Sequence, residues 1–182
     1  MKVLVVYYSQ TGNTERIANA IFEEITGKHE ASLEKLQNIT PESTNGYDLV
    51  LVGSPCIDSD LAVPVKTFLN DLPDSPKFKL AGFYTHATFM TDDDGQGSLF
   101  SKWAGKCLVS FEQTCKSKQI SFLGTFHCMG IPNPGIEQFI RQEIITDEKE
   151  WESYLPDVKT RPNEEDIENA RKFAQEVVSK IP

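Results

Sequence analysis

The chain has 182 residues, 39% hydrophobic and 25% charged, which is enough to bury a core as one ordinary globular domain over residues 1–182. A formal net charge of −9 argues against a nucleic-acid backbone as partner and suits a protein that meets basic partners. The first apolar run, residues 3–8, is too short for a secretory leader or for a membrane span of about 20 residues, so the expectation is a cytoplasmic protein without a membrane span.

In chain order, apolar β-formers alternate with helical patterns, as in a parallel sheet flanked by helices. Residues 2–8 are apolar almost throughout, as expected of a strand buried on both faces. A helix follows from about Thr14, with Ile17, Ala18, Ile21 and Ile25 on one face and Gly27 as its stop. Residues 31–36 alternate and read as a second, less buried strand; residues 47–53 (YDLVLVG) read as a third. Pro64 starts a short helix carrying Val65, Phe68, Leu69 and Leu72. Residues 80–86 are the fourth strand. A glycine-bearing loop then leads to one helix from about Ser98 to Lys118, with Leu99, Trp103, Leu108, Phe111 and Cys115 roughly in phase. Residues 120–129 are the fifth strand. The last helix is expected over residues 163–181, capped by Asn163, with Glu164, Glu165 and Asp166 favourably placed at the positive end of its dipole. Its buried stripe is Ile167, Ala170, Phe173, Ala174, Val177 and Val178.

Residues 130–162 break this rhythm. They open on the turn-rich Gly130-Ile131-Pro132-Asn133-Pro134-Gly135 and continue with acidic and aromatic residues, including Trp151 and Tyr154. They read as an insertion before the last helix, with a short helix around residues 136–144, and their length makes them functional or mobile. The cysteines Cys56, Cys107, Cys115 and Cys128 include no C-x-x-C pair, which argues against zinc or a thioredoxin-like site and for free thiols. Asp92-Asp93-Asp94 begins like a calcium loop, but Trp103 stands where the bidentate glutamate belongs, so a solvated acidic loop is the better reading.

The chemistry concentrates in Ser9, Gln10, Thr11, Gly12, Asn13 and Thr14, which join a buried strand to a helix. Hydroxyls and backbone N–H groups converge there at the positive end of a helix dipole, which makes a site for an anion, most naturally a phosphate. Gly12 permits the tight turn. The loop holds no lysine or arginine, and a phosphate monoester can be held by N–H and O–H donors alone. Neither a Walker G-x-x-x-x-G-K nor a dinucleotide G-x-G-x-x-G is present, and Gly95-x-Gly97 lacks the third glycine.

This S-x-T-G-N-T segment resembles the phosphate loop of the flavodoxins, at its usual place after the first strand, and the likeness covers the chain apart from the insertion. The resemblance implies a three-layer α/β fold with a five-stranded parallel sheet of order 2-1-3-4-5 and helices on both faces. It implies FMN as cofactor, bound at the carboxyl edge beside strands one and three. It also implies two loops beside the flavin ring. One holds Ser54, Pro55, Cys56 and Ile57, followed by Asp58, Ser59 and Asp60; the other holds Thr85, His86, Ala87, Thr88 and Phe89. The family usually transfers single electrons between protein partners, and related enzymes of the fold pass two electrons to quinones.

The sequence departs from flavodoxins in the second loop, where they commonly stack an aromatic on the ring and place a glycine near N5. No glycine lies between Ser54 and Pro64, and among residues 56–60 only Asp58 and Asp60 are expected to tolerate a left-handed backbone. Phe89, Trp151 or Tyr154 is a candidate to face the ring. His86 is expected near the flavin edge, as a hydrogen-bond partner or proton donor to the ring or as a loop histidine bound to backbone; His29 and His127 carry no signal. Cys56 reads as a small apolar contact in preference to a reactive thiol. The preferred function is electron transfer between redox partner proteins with basic docking patches, since no lysine or arginine lies between Ser54 and Val65 or between Ala87 and Ser101. The alternatives are an FMN-dependent NAD(P)H:quinone-type reductase, whose substrate pocket the insertion would wall, and a flavin-binding module without turnover.

Overall fold

The apolar runs pair as parallel strands, and strict alternation along each sends successive side chains to opposite faces of one sheet. The computed structural model describes residues 1–89 and 97–181. Its strands are β1 (Lys2–Tyr7), β2 (Glu30–Lys35), β3 (Leu49–Ile57), β4 (Asp60–Leu61), β5 (Lys79–His86) and β6 (Ser121–Met129). The order is β2-β1-β3-β5-β6, all parallel. This is the expected order of five main strands; the sixth, β4, is a two-residue strand that pairs antiparallel with the end of β3. The helices are α1 (Asn13–Thr26), α2 (Val63–Asn70), α3 (Gly97–Trp103), α4 (Gly105–Ser117), α5 (Pro134–Phe139), α6 (Glu148–Val158) and α7 (Glu164–Ser179). None is long and apolar enough to cross a membrane.

Leu4, Val6, Val50, Val52 and Leu80 face α2 and α4, where they meet Val65, Leu69, Cys107 and Phe111. Val3, Val5, Leu49, Leu51 and Phe83 face α1 and α7, where they meet Ile17, Ile21, Ala170 and Val177. Each fully buried side chain of this size stabilises the fold by about 1.5–3 kcal/mol. Two strand glycines allow aromatic rings to approach the sheet: a Cβ on Gly82 would lie 2.7 Å from the Phe111 ring, and one on Gly53 would lie 2.3 Å from the Phe83 ring. Asn163 and Asp166 cap α7 reciprocally, the Asn163 side chain accepting from the Asp166 N–H at 3.0 Å and the Asp166 carboxylate from the Asn163 N–H at 2.9 Å.

Three elements differ from the sequence expectation. The single helix of residues 98–118 is broken at Ala104, whose φ of −142° lies outside the helical region. The Trp103 carbonyl accepts from the Cys56 thiol at 3.3 Å, while the Cys107 N–H bonds to the Ala104 carbonyl at 3.1 Å, so a contact with the sheet edge replaces a helical bond. The expected third strand runs on to Ile57 and doubles back as β4. The insertion is more ordered than its turn-rich start implies: besides α5 it holds a wide π turn, Ile140–Ile144, closed by the Ile145 N–H on the Ile140 carbonyl at 2.8 Å, and then α6. Asp147 caps α6 by accepting from the Glu150 N–H at 3.0 Å. Ile140, Ile145, Tyr154 and Val158 give the insertion a small core, packed against Met129 and the loop after β5.

Candidate functional site

The loop after β1 runs from the sheet edge into an uncapped helix start. The Tyr8 N–H donates to the Gly53 carbonyl at 3.0 Å, which fixes where the chain leaves the sheet. Gly12 stands at the N-cap of α1 with φ 89°, a left-handed conformation that glycine adopts without a steric penalty. Its N–H donates to Ser9 Oγ at 3.1 Å. No side chain caps α1, so the N–H groups of its first turn lack the acceptor that a cap would supply. Asn13 Nδ2 donates to Thr11 Oγ1 at 3.1 Å and to the Ile131 carbonyl at 2.8 Å, tying the loop to the start of the insertion. Thr14 Oγ1 and Thr85 Oγ1 share a buried hydrogen bond of 2.9 Å, which joins α1 to β5. The one acid in the first turn of α1, Glu15, accepts from the Tyr7 hydroxyl at 2.6 Å and pairs with Lys35 at 3.2 Å. These contacts, Tyr7 first, hold its carboxyl below the usual range; Tyr7 is pushed up to about 12, by burial first and by Glu15 next. The acid in this first turn is thus paired with a lysine on the neighbouring strand.

The second predicted loop is a tight hairpin. Ile57 pairs with Asp60, and the two residues between them, Asp58 and Ser59, both have positive φ (52° and 67°), as in a type I′ turn. The left-handed positions are therefore Asp58 and Ser59, and Asp60, expected to tolerate one, is instead in β4. Asp60 is fixed there by Lys66 at 2.8 Å, by Ser110 Oγ at 2.6 Å and by the Leu61 N–H at 2.7 Å.

His86 is buried with both ring nitrogens bound. Nδ1 donates to the Thr88 carbonyl at 3.1 Å, which leaves Nε2 to accept from His127 Nδ1 at 3.1 Å. Burial, then the neighbouring His127, pulls its pKa down to about 3. A ring held neutral and spoken for at both nitrogens does not supply protons to a ligand near neutral pH, so of the expected roles the backbone-bound loop histidine is the one observed. Its tie to His127, which also stacks on Tyr84 with centroids 5.2 Å apart, had no signal in the sequence. Because the folded value lies below the unfolded one, the stability this group contributes is full above pH 6.5 and is lost as pH falls towards 3. An NMR titration is expected to show no His86 protonation across about pH 5–8, the window in which an ordinary histidine titrates. A midpoint near 6.5 would contradict the buried placement.

These loops and the insertion enclose a cavity of about 430 Å³ at the carboxyl edge of the sheet, within the range of small-molecule sites. Of the predicted residues, Ser9, Gln10, Thr11, Asn13 and Thr14 line it from the first loop, and Pro55, Cys56 and Ile57 from the second. Thr85, His86, Ala87, Thr88 and Phe89 line it from the third. Gly12 and Ser54 do not line it: Gly12 is exposed and shapes the turn, and Ser54, buried, donates from Oγ to the Pro55 carbonyl at 2.8 Å and accepts from the Ala62 N–H at 2.9 Å, bracing the hairpin. Asp92, Asp93 and Asp94 lie outside the described residues.

Apart from Asp58, Ser59 and Tyr154, the rest of the wall comes from residues that the sequence did not single out as ligand contacts. Ile131, Ile136 and Phe139 of the insertion border the cavity with apolar side chains that are partly open to solvent. Trp103 lines it beside Phe139, ring centroids 5.5 Å apart, and its indole N–H is buried with no hydrogen-bond partner among the described residues. Of the ring-facing candidates, Phe89 and Tyr154 line the cavity and pack on each other at 5.3 Å, whereas Trp151 does not line it and packs behind Tyr154. The Tyr154 hydroxyl donates to the Ala87 carbonyl at 2.6 Å, clasping the insertion to the third loop. The signal that could have marked Ile131 and Ile136 is their place in a turn-rich segment directly after a strand on the site's edge.

A parallel sheet with an uncapped helix start after its first strand, opening into a cavity at the point where the strand order reverses, defines a doubly wound α/β protein, a class whose ligands bind in that crevice. Residues 4–175 match the model of the flavodoxin domain family, and the chain belongs to that family of flavin-binding electron carriers. It is 27% identical to an uncharacterized protein of Methanocaldococcus jannaschii, over 98% of this chain and 99% of that one. Among solved structures it superposes on oxidised flavodoxin 2 from Bacillus cereus (TM-score 0.65, 21% identity, all of both chains) and on oxidised flavodoxin 1 from the same organism (TM-score 0.67, 15% identity, all of both chains). At these identities the structures share the fold.

Proposed function

We propose that the cavity binds FMN and that the protein carries electrons between redox partner proteins. The observation that carries this reading is the uncapped start of α1, with Gly12 at φ 89° and the Ser9 and Thr11 hydroxyls beside it, opening into the same cavity as the loops after β3 and β5. The residues fit the cofactor. Ser9, Thr11 and the first-turn N–H groups would hold the phosphate, with Lys35 neutralising Glu15 behind it. Pro55, Cys56 and Ile57, with Thr88, Phe89 and Trp103, would border the ring in a mostly apolar end of the cavity. Bound FMN would supply the ability to accept and release electrons one at a time; this chain's residues orient it, exclude water from it and leave one edge open to a partner. The exposed Asp58 beside the cavity favours a basic partner surface, so electron transfer from a basic donor should slow as ionic strength rises.

A second reading, reduction of a small molecule by NAD(P)H, is favoured by one observation: Ile131, Ile136 and Phe139 add an apolar wall that the three loops alone do not provide. Anaerobic mixing of the flavin-loaded chain with NADH or NADPH separates the two. The carrier is expected to stay oxidised until a partner reductase is added, and rapid bleaching by the nicotinamide alone would favour the reductase.

A further inference from the structure

Four free cysteines are present, and two of them lie where the hairpin touches α4. Cys56, at the last turn of β3, lines the cavity and is part-exposed, and its thiol donates to the Trp103 carbonyl at 3.3 Å. Three residues beyond Cys107, Ser110 donates to Asp60 at 2.6 Å, and Asp60 is paired with Ile57, next to Cys56. Trp103 and Ser110 therefore bracket Cys107 on a stretch of chain that is pinned to the hairpin at both points. Cys107 is fully buried between them, four residues on from the Trp103 carbonyl that the Cys56 thiol reaches. The neighbouring Cys56 thiol first, and burial next, keep the Cys107 proton on sulfur. Asp60, the nearest acid, is already neutralised by Lys66, Ser110 and the Leu61 N–H.

We propose that Cys56 and Cys107 form a redox-active dithiol that closes into an intramolecular disulfide when a small peroxide enters the cavity. The arrangement separates the two roles such a pair needs: an accessible sulfur to be oxidised and a protected neighbour to resolve it. The Cys56 sulfur, as thiolate, attacks the peroxide O–O bond, becoming a sulfenic acid and releasing hydroxide, which the lost thiol proton converts to water. The Cys107 sulfur then displaces the hydroxyl of the sulfenic acid, and the Cys107 proton leaves with it as a second water. Two thiols and one hydrogen peroxide thus give one disulfide and two waters, with two electrons passing from sulfur to oxygen. Cys115 and Cys128, both buried in the core, take no part. The step uses only protein sulfur and peroxide, so it stands whether or not the cavity holds a flavin.

The test is peptide mapping of the full chain as purified, before and after excess hydrogen peroxide, with free thiols alkylated after quenching and unfolding. The expected result is a fall from four alkylatable thiols to two, a Cys56–Cys107 linked peptide pair lighter by two hydrogens, and recovery of all four thiols on reduction. In Cys107→Ala, Cys56 is expected to stop at a dimedone-trappable sulfenic acid or go on to sulfinic acid. Four surviving thiols, or Cys56 lost to sulfinic acid or an intermolecular dimer in the native chain while Cys107 stays alkylatable, would overturn the proposal. The native map decides the matter without the variant if the variant does not fold.

Discussion

Phe111→Ala is expected to lower the stability of the fold by about 3–5 kcal/mol, the range for truncating a fully buried phenylalanine. Phe111 has no exposed surface; its ring covers Gly82 of β5 and stacks near Phe122 with centroids 6.2 Å apart. Removing the ring forfeits its burial and leaves a cavity between α4 and the sheet, where the rigid strands cannot close in. The same contact gives an internal control. Gly82→Ala alone drives a methyl into the Phe111 ring, at 2.7 Å, and should destabilise. Added to Phe111→Ala, that methyl enters vacant space, so the double variant should be more stable than the sum of the single losses predicts, with a coupling of about 0.5–3 kcal/mol. Urea unfolding midpoints of the four proteins measure this. A loss below about 1 kcal/mol for Phe111→Ala would mean that α4 is not packed on β5 as described.

Gly12→Val is expected to weaken FMN binding by roughly a hundredfold while riboflavin affinity hardly moves. No atom lies within 4 Å of a Cβ at this position, so crowding is not the cause. The cause is the backbone: a φ of 89° is closed to a β-branched residue, and moving it to negative values turns the N–H groups at the start of α1 away from their common focus. Each misdirected bond to a charged phosphate is worth about 1.5–3 kcal/mol. Gly12→Asn, whose side chain tolerates a left-handed backbone, should lose far less. Isothermal titration with both flavins reads the difference. Equal losses for FMN and riboflavin would place the phosphate elsewhere.

The parts of the fold that the sequence made legible are those governed by local rules. The uninterrupted apolar runs of β1 and β3 announced buried parallel strands, Asn163 with Asp166 three residues later announced the start of α7, and Gly12 between a strand and a helix announced the tight turn into α1. What escaped was set by contacts between distant segments. The break at Ala104 depends on the Cys56 thiol reaching the Trp103 carbonyl, 47 residues away in sequence, and no helical periodicity registers that. The hairpin at Asp58 and Ser59 lacks the glycine that usually marks a type I′ turn, and Ser59 in a left-handed conformation is a choice that pairing imposes on the residue. The burial of His86 depends on His127 from the neighbouring strand, and the insertion's share of the cavity on the Tyr154 clasp to Ala87. Thirteen of the fifteen predicted ligand contacts nevertheless line the cavity, because all three loops end strands on one edge, and sheet order alone fixes that.

The central claim is that the loop after β1 holds the phosphate of a flavin nucleotide. Titration of the flavin-free chain with FMN and with riboflavin, followed by quenching of flavin fluorescence, tests it most directly. FMN is expected to bind at least about a hundredfold more tightly, since two charge-assisted bonds to the phosphate together contribute about 3–6 kcal/mol. Thr11→Ala should remove roughly tenfold of that preference and leave riboflavin binding unchanged. Equal affinity for the two flavins, or a preference that Thr11→Ala does not touch, would contradict the account.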